Sequence, residues 1–361
     1  MSKKVAVVAF TASGKERIED LKKAFEGLSK DSGEEWIVND VFKPEDLKKW
    51  CLDAFTGSDA LIFVSAMGIA VRTIAPYIIK KTVDPAVLVM DDLGKNLISV
   101  LSGHIGGANE LTLELAGRLG ANPVITTSSD VHGKLSVDSW AVKNDLIITD
   151  MECAKKVAVE IVEGRKVGLY CDCDIKGQVP SELVLLDDSA DAANISWCIV
   201  ISDKRLTETP EFLRDYNIMW LIPKINVLGI GCKKGKPMSD IADGVEKVLG
   251  EARIDRRSVC SVASIDLKAK EEGLLAFAEY LNVPTDFYSE EELKYVPGKF
   301  EFSGFVQDIT GVDNVCERAA VKEVIKTDPE ADRESCLVVS KKKCDGVTVA
   351  VASKKGCISF E

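Results

Sequence analysis

The residues with the clearest chemical potential lie in a glycine-rich stretch, SGHIGGAN, at residues 102–109. Its glycines let the backbone turn tightly and let a ligand approach it closely. His104 lies among them and is one of only 2 histidines in the chain. Because an imidazole has an ordinary pKa of about 6.5, it can take up and release protons near neutral pH. The stretch therefore predicts acid–base chemistry at His104.

The flanking sequence predicts the elements that position this stretch. An apolar, β-branched run ends at Val100, and the leucines between Leu111 and Leu119 have a spacing that suits a helix. The first amides of a helix have no internal partner and carry a partial positive charge of about half a unit, which favours a carboxylate or a developing oxyanion. An alternative stays open, because glycines in such units often only turn the chain and a buried histidine can simply bond to the backbone.

Strands and helices are expected to alternate along the first 140 residues. Continuous apolar runs, such as residues 60–64, are typical of strands buried inside a parallel sheet. The pattern predicts an α/β fold with a doubly wound, mostly parallel N-terminal sheet. A looser α/β middle region and a separate C-terminal α/β domain are expected to follow, because 361 residues exceed one ordinary core. The predicted domains are 1–140, 141–224 and 225–361.

Three polar segments follow predicted strands of the N-terminal sheet, at residues 65–68, 102–107 and 126–130. In doubly wound sheets, ligands bind beyond the carboxyl ends of the strands. All three segments are therefore expected at one edge of the sheet. Arg72 is placed close to them, in a helix expected over residues 69–79.

Composition excludes several classes of function. A net charge of −12 argues against nucleic acid and anionic membranes as partners, since both require an excess of Lys and Arg. No apolar stretch reaches the ~18 residues that span a bilayer. The 11 cysteines lack paired spacing, which favours reduced thiols and a cytoplasmic protein. The CDC sequence at residues 171–173 lacks a second ligand pair, so we interpret it as structural and expect no protein metal site.

A second glycine motif, GIGCKKG at residues 229–235, follows a predicted strand and precedes a predicted helix. Its G-x-G-x-x-x-G spacing is one residue longer than the dinucleotide-binding fingerprint. The acids farther on, Glu251 and Asp255, do not end an obvious second strand. A nucleotide-dependent oxidoreductase is therefore a minor alternative, which titration with NADH would test.

Several longer motifs resemble those of one known family. They are, in order, GIAVR at 68–72, DPAV at 84–87, LSGHIGGANE at 101–110, VITT at 124–127 with Asp130, GIGC at 229–232, SIDLK at 264–268, YSEEEL at 288–293 and TGVDNVCERAA at 310–320. Together they resemble the CbiG family, the cobalt-precorrin-5A hydrolases of the anaerobic route to cobalamin. The likeness covers nearly the whole chain and is weakest over residues 141–224. The C-terminal part also resembles CobE, a separate protein of the oxygen-dependent route.

The resemblance implies a hydrolase that acts on a carbon–carbon bond. Its substrate would be a cobalt-bearing, ring-contracted tetrapyrrole that carries a δ-lactone. Water opens the lactone, and a two-carbon unit then leaves as acetaldehyde to give cobalt-precorrin-5B. Because the cobalt belongs to the substrate, the resemblance implies no cofactor.

The resemblance also places roles on residues, as hypotheses. His104 is assigned as a base toward water and later as an acid, with Glu110 and Asp130 as further proton carriers. The amides of Gly106 and Gly107 are assigned to the oxyanion. Substrate binding is assigned to Gly68, Arg72, Ser102, Gly103, Gly106, Gly107, Asn109, Thr126, Thr127, Gly229, Gly231 and Cys232.

Alternatives to these assignments stay open. Arg72 and Asn109 are expected to hold peripheral carboxylates of the substrate, but the glycine amides could grip one instead, with His104 ligating the cobalt or stacking on the ring. At the level of function, the chain could be a corrinoid-handling protein that binds without catalysis. The expected partner is the cobalt-containing precorrin, with transient contact to a corrin methyltransferase, and the formation of a homodimer is left open.

Overall fold

A computed structural model gives the fold and describes residues 2–80, 83–187, 194–204 and 211–361. The chain forms two compact units, Met1–Trp140 and Ala141–Glu361. The further division of the second unit at residue 224 stays a prediction. Within the described ranges, no helix combines the length and the apolar character needed to cross a membrane.

The first unit alternates strands with helices. Its elements are β1 (Lys3–Ala9), α1 (Ala12–Ser32), β2 (Trp36–Phe42), α2 (Leu47–Gly57), β3 (Ala60–Val64), α3 (Met67–Ile74), β4 (Ala86–Met90), β5 (Asn96–Leu101), α4 (Ala108–Leu119), β6 (Asn122–Val124), α5 (Ser128–Val131) and α6 (Val137–Lys143). α3 ends before Pro76, because a proline has no N–H group to continue the helix that was expected to reach residue 79.

The strands of the first unit form one sheet in the order β2-β1-β3-β4-β5-β6. Neighbouring strands are parallel except β4 and β5, which are antiparallel. The predicted α/β fold with a mostly parallel sheet is confirmed. The exception has a local cause, because only residues 91–95 connect β4 to β5 and a parallel crossover needs about a dozen residues or more. Asp91 fixes this turn by accepting hydrogen bonds from the backbone N–H groups of Leu93, Lys95 and Asn96.

The hairpin reverses the direction of β5, and β6 runs parallel to β5. Leu101, at the end of β5, lies opposite Val87, near the start of β4. Residues 102–107 and 126–130 therefore lie at the edge opposite to residues 65–68, which follow the end of β3. The prediction that all three segments share one edge is wrong, because it treated every strand as parallel.

Helices cover both faces of this sheet. On one face α1 and α4 pack through Leu21, Phe25 and Leu115, and on the other α2 and α3 pack through Phe55 and Ile74. All of these side chains are buried, and burial of a Leu, Ile or Phe side chain stabilises the fold by about 1.5–3 kcal/mol. Because α4 is packed against the sheet, the loop that precedes it is held in place.

The second unit contains two five-stranded sheets and a two-stranded one over its described residues. Its elements are β7 (Leu146–Ile148), α7 (Met151–Val162), β8 (Val167–Cys171), β9 (Asp174–Lys176), β10 (Leu183–Leu185), β11 (Trp197–Ile201), β12 (Asn217–Pro223), β13 (Asn226–Cys232), α8 (Met238–Glu251), β14 (Val259–Ile265), α9 (Glu272–Leu281), β15 (Thr285–Tyr288), α10 (Glu290–Lys294), α11 (Gly304–Thr310), α12 (Val315–Ile325), α13 (Arg333–Cys336), β16 (Leu337–Cys344), β17 (Val347–Ser353) and β18 (Cys357–Ser359). The sheet orders are β10-β8-β11-β12-β7, β15-β14-β13-β17-β16 and β18-β9.

Two glycines of β13 are in very close contact with their neighbours. An ideal Cβ atom on Gly229 would lie 1.8 Å from the backbone oxygen of Cys316, in α12. An ideal Cβ atom on Gly231 would lie 2.6 Å from Thr348 Oγ1, in β17. The packing of α12 and β17 against β13 thus requires both glycines, whether or not a ligand binds there.

The Gly229→Ala variant is expected to lose about 3 kcal/mol of unfolding free energy, because α12 must move to admit the methyl group. Denaturant unfolding followed by circular dichroism measures this loss. The matched control is Gly304→Ala, since a Cβ atom there would meet only the Phe302 ring, at 3.7 Å. Equal stability of the two variants would contradict the packing explanation.

Candidate active site

The loop between β5 and α4 carries His104 and is tightly folded. Ser102 is buried and has a left-handed backbone conformation with a φ angle of 58°. An ideal Cβ atom on Gly106 would lie 2.4 Å from Ser102 Cβ, and one on Gly103 would lie 2.7 Å from Asn109 Oδ1. The fold of the loop therefore requires these two glycines.

Most backbone N–H groups at the start of α4 already donate hydrogen bonds to carbonyl groups of the loop. The N–H groups of residues 107, 108 and 109 donate to the carbonyl oxygens of residues 104, 102 and 103, at 2.8, 3.1 and 2.9 Å. The prediction that Gly107 donates to an oxyanion is wrong, because its amide is already bonded. The Gly106 amide has no partner among the described residues and remains a donor for a ligand.

Both nitrogens of the His104 ring contact carboxylates. Nε2 lies 2.9 Å from Asp130 Oδ2, and Nδ1 lies 3.1 Å from Asp138 Oδ1. The Ser129 hydroxyl also lies 3.1 Å from Nε2. The His104 side chain is 19% exposed, so the ring is largely desolvated but still reachable. The structure thus brings two predicted proton carriers, His104 and Asp130, into direct contact.

These contacts raise the pKa of His104 above its ordinary value. The hydrogen bond with Asp138 is the main cause, burial opposes the rise, and the hydrogen bond with Asp130 adds to it. A protonated ring donates from both nitrogens, which matches the two carboxylates. These contacts favour the protonated form of His104, whereas the sequence predicted a base toward water, and later an acid, with an ordinary pKa.

Asn109 fixes the position of Asp130. Its Nδ2 donates to Asp130 Oδ2 at 3.1 Å and to Thr127 Oγ1 at 2.9 Å, while its Oδ1 accepts from the Ser99 hydroxyl at 2.7 Å. Asn109 is only 5% exposed. These contacts give Asn109 a positioning role, instead of the predicted contact with a substrate carboxylate.

Asp138 holds the other side of the ring, and the sequence did not reveal it. It lies in α6, where the Ser136 hydroxyl donates to Asp138 Oδ1 at 2.9 Å and the Ser139 N–H group donates at 3.1 Å. Its side chain is 15% exposed. The sequence shows Asp138 only as an acidic residue in the polar stretch after Asp130, and this residue belongs to none of the motifs described above.

Comparison with known proteins identifies the family. Three family descriptions match successive parts of the chain: Cobalamin synthesis G N-terminal over residues 49–130, Cobalamin biosynthesis central region over 135–223, and Cobalamin synthesis G C-terminus over 226–352. The chain is 37% identical to the cobalt-precorrin-5A hydrolase of Salmonella typhimurium over 278 residues, which cover 74% of this chain and 76% of that protein. It is 32% identical to the cobalt-precorrin-5A hydrolase of Priestia megaterium over 361 residues, which cover 96% of this chain and 94% of that protein. This chain belongs to the CbiG family.

The C-terminal part has a second kind of relative. Over 127 residues, or 35% of this chain, it is 32% identical to the protein CobE of Sinorhizobium and covers 78% of that protein. The resemblance of this part to both CbiG and CobE, predicted from its motifs, is confirmed.

In this CbiG chain, the residues predicted to bind substrate fall into three places. Those at the same end of the sheet as His104 are Ser102, Gly103, Gly106, Gly107, Asn109, Thr126 and Thr127. Gly68 and Arg72 lie beyond the end of β3, where Arg72 Nη1 donates to the Gly68 carbonyl at 3.1 Å. The expectation that Arg72 shares an edge with the His104 loop is wrong, because the antiparallel β5 delivers that loop to the other edge. Gly229, Gly231 and Cys232 belong to β13 of the second unit.

Two residues predicted to belong to the site, Glu110 and Thr126, are exposed. Glu110 lies in the first turn of α4, and Thr126 follows β6. Neither is among the described partners of His104, which are Ser129, Asp130 and Asp138. The roles assigned to Glu110 and Thr126 stay predictions.

Within residues 2–80, 83–187, 194–204 and 211–361, no group of three or more His, Cys, Asp or Glu side chains is placed to hold a metal ion. That cobalt enters only with the substrate stays a prediction.

Proposed function

We propose that this chain is a cobalt-precorrin-5A hydrolase that opens the δ-lactone of its substrate and releases acetaldehyde. Two relatives that bear this name, aligned over 74% and 96% of the chain, support the proposal. The observation that carries the chemistry is the His104 ring, held between Asp130 and Asp138 at 2.9 and 3.1 Å. Lactone hydrolysis followed by carbon–carbon cleavage needs such a group, which can give and take protons in turn.

Lactone opening begins with the attack of water on the carbonyl carbon. We assign Asp130 as the base, because its hydrogen bonds with His104 and Asn109 both use Oδ2, which leaves Oδ1 to take a proton from water. The amide of Gly106 is the donor assigned to the carbonyl oxygen as it becomes negative. Protonated His104 then gives its Nε2 proton to the departing alkoxide. One proton is taken and one is given in this step.

Carbon–carbon cleavage uses the same ring in the opposite role. His104 is neutral after the first step, so Nε2 can take the proton of the new hydroxyl group as the bond breaks. Acetaldehyde leaves, and the electron pair of the broken bond enters the conjugated macrocycle. The contact with Asp138 keeps the proton on Nδ1 and fixes the orientation of the ring. His104 thus acts first as an acid and then as a base, the reverse of the order predicted from the sequence.

The same contacts argue against His104 as a ligand to the cobalt of the substrate. A metal ligand needs a ring nitrogen with a free lone pair. Here both nitrogens face carboxylates, at 2.9 and 3.1 Å, and both are better suited to carry protons. Proton transfer is therefore the favoured role for this histidine.

Anaerobic incubation of the purified chain with cobalt-precorrin-5A tests the proposal. We expect acetaldehyde in an amount equal to the corrinoid consumed, and a product whose mass reflects the gain of one water and the loss of one acetaldehyde. Heat-unfolded chain serves as the control. Substrate binding without acetaldehyde release would refute the hydrolase and favour a corrinoid-handling protein.

A cytoplasmic location and transient contact with a corrin methyltransferase are part of this proposal. All 11 cysteines are free thiols, which suits a reducing compartment.

A further inference from the structure

The CDC sequence of the second unit forms a compact pair of thiols. Cys171 is the last residue of β8, and Cys173 follows one residue later. The Cys173 N–H group donates to Cys171 Sγ at 3.3 Å, and the Cys171 thiol is placed to donate to the Cys173 carbonyl at 3.5 Å. These two contacts hold the Cys171 sulfur against the backbone of Cys173.

The two thiols differ in acidity. A side-chain hydrogen bond with Cys173 is the main cause that lowers the pKa of Cys171, although burial opposes it. The same contact is the main cause of the raised pKa of Cys173. Because the Cys173 N–H group donates to Cys171 Sγ, a contact that stabilises a thiolate, we assign Cys171 as the nucleophile and Cys173 as the second thiol.

The surroundings leave the pair accessible but confined. Both cysteines are half-buried, whereas Cys198, on the neighbouring strand β11, is buried. Gly356 lies against Cys173, since an ideal Cβ atom on this glycine would lie 2.5 Å from Cys173 Sγ. The backbone at Gly356 therefore covers one side of the Cys173 thiol.

We propose that Cys171 and Cys173 form a redox-active dithiol that reacts with small-molecule disulfides and closes to an intrachain disulfide. The Cys171 thiolate attacks one sulfur of the disulfide R–S–S–R, which breaks its S–S bond and releases R–S⁻. Cys173 then loses its proton to solvent and attacks the Cys171 sulfur, which releases the second R–S⁻. The protein loses two protons and two electrons, and the small molecule gains both as two R–SH. This assignment replaces the interpretation of the CDC sequence as merely structural.

Titration of the reduced full chain with oxidised glutathione, followed by peptide mass spectrometry, tests the proposal. We expect the disulfide between Cys171 and Cys173 to form first. Cys171 should react at least about tenfold faster than Cys153, a half-buried thiol with a raised pKa. Equal rates at these two cysteines, or first formation of a disulfide with the exposed Cys357, would overturn the proposal.

Two variants separate the roles of the pair. Cys173→Ser should accumulate glutathione on Cys171, because no thiol remains to release it, whereas Cys171→Ser should leave Cys173 almost unreacted. Cys357→Ser, which removes an exposed thiol near Cys173, should not change the rate at Cys171. Thermal unfolding of each variant verifies the fold. Failure of Cys173→Ser to trap glutathione on Cys171 would refute the proposal in a folded protein.

Discussion

Replacement of His104 by asparagine is expected to lower kcat for acetaldehyde release by 10²- to 10⁴-fold, on the order measured for lost acid–base groups. The reason is that the ring is assigned both the proton given to the alkoxide and the proton taken from the hydroxyl group. A hundredfold loss corresponds to about 2.7 kcal/mol of transition-state stabilisation. Anaerobic turnover with trapped acetaldehyde, measured at saturating substrate, gives the value.

His132→Asn is the matched control for this variant. His132 is the other histidine of the chain and is exposed at the end of α5, where its ring contacts the Ser128 carbonyl at 2.8 Å. This control should retain the activity of the unmodified chain. If His104→Asn also retains it, His104 has only a structural role and the proposed mechanism fails.

Replacement of Asp138 by asparagine is expected to shift the pH profile of kcat to lower pH and to lower its maximum, on the order of a hundredfold if the ring is misplaced by about 1 Å. The first step requires protonated His104, so activity is lost as the pH rises through the raised pKa of this group. Asp138 is the main cause of that raised pKa. Without it, the pKa falls and the alkaline limb of the profile moves toward acid.

Two further variants make the Asp138 test specific. Asp138→Glu keeps a carboxylate and should restore part of the alkaline limb. Glu114→Gln also removes one negative charge, but from the exposed ion pair of Glu114 with Arg118, and should leave the profile unchanged. A loss of rate in Asp138→Asn with an unmoved alkaline limb would show that Asp138 does not control the protonation of His104.

The same pKa shift predicts how the contact affects stability. Because the pKa of His104 is raised on folding, its contacts stabilise the fold fully below the ordinary value of about 6.5. This stabilisation is lost as the pH rises through the raised pKa of the folded protein.

Local patterning predicted much of the first unit. The apolar runs at residues 60–64 and 86–90 coincide with β3 and β4, and the leucine spacing after Gly107 coincides with α4. These elements are predictable because each one buries apolar side chains, and the spacing of those side chains along the sequence indicates a strand or a helix. In the second unit, the sequence pattern did not predict β12, whose apolar run leads directly into the domain boundary predicted at residue 224.

Strand direction was less accessible to prediction. The apolar pattern of residues 96–101 is the same whether β5 pairs parallel or antiparallel with β4. The length of the connection through Gly94 could have indicated the antiparallel direction, because so few residues cannot make a parallel crossover. This one misjudged direction placed the His104 loop at the same end of the sheet as Arg72.

The motifs marked His104 and Asp130 as candidate proton carriers, whereas no motif marked Asp138, and the contacts among the three were not predicted. Sequence can mark His104 and Asp130 as candidates because glycines and polar residues cluster around them. The contact with Asp138 depends on how α6 is placed, which is set by packing in three dimensions. The raised pKa of His104 therefore also lay beyond sequence reasoning, since Asp138 is its main cause.

The antiparallel hairpin of β4 and β5 has a consequence for how such chains can diverge. The loops that follow β1, β3 and β4 lie at one edge of the sheet, and the reacting groups lie at the other, separated by a strand of five residues, or roughly 16 Å. Insertions at the first edge therefore leave the spacing of His104, Asp130 and Asp138 unchanged. Those loops can therefore change in length or in charge during evolution without moving the residues of the acid–base centre.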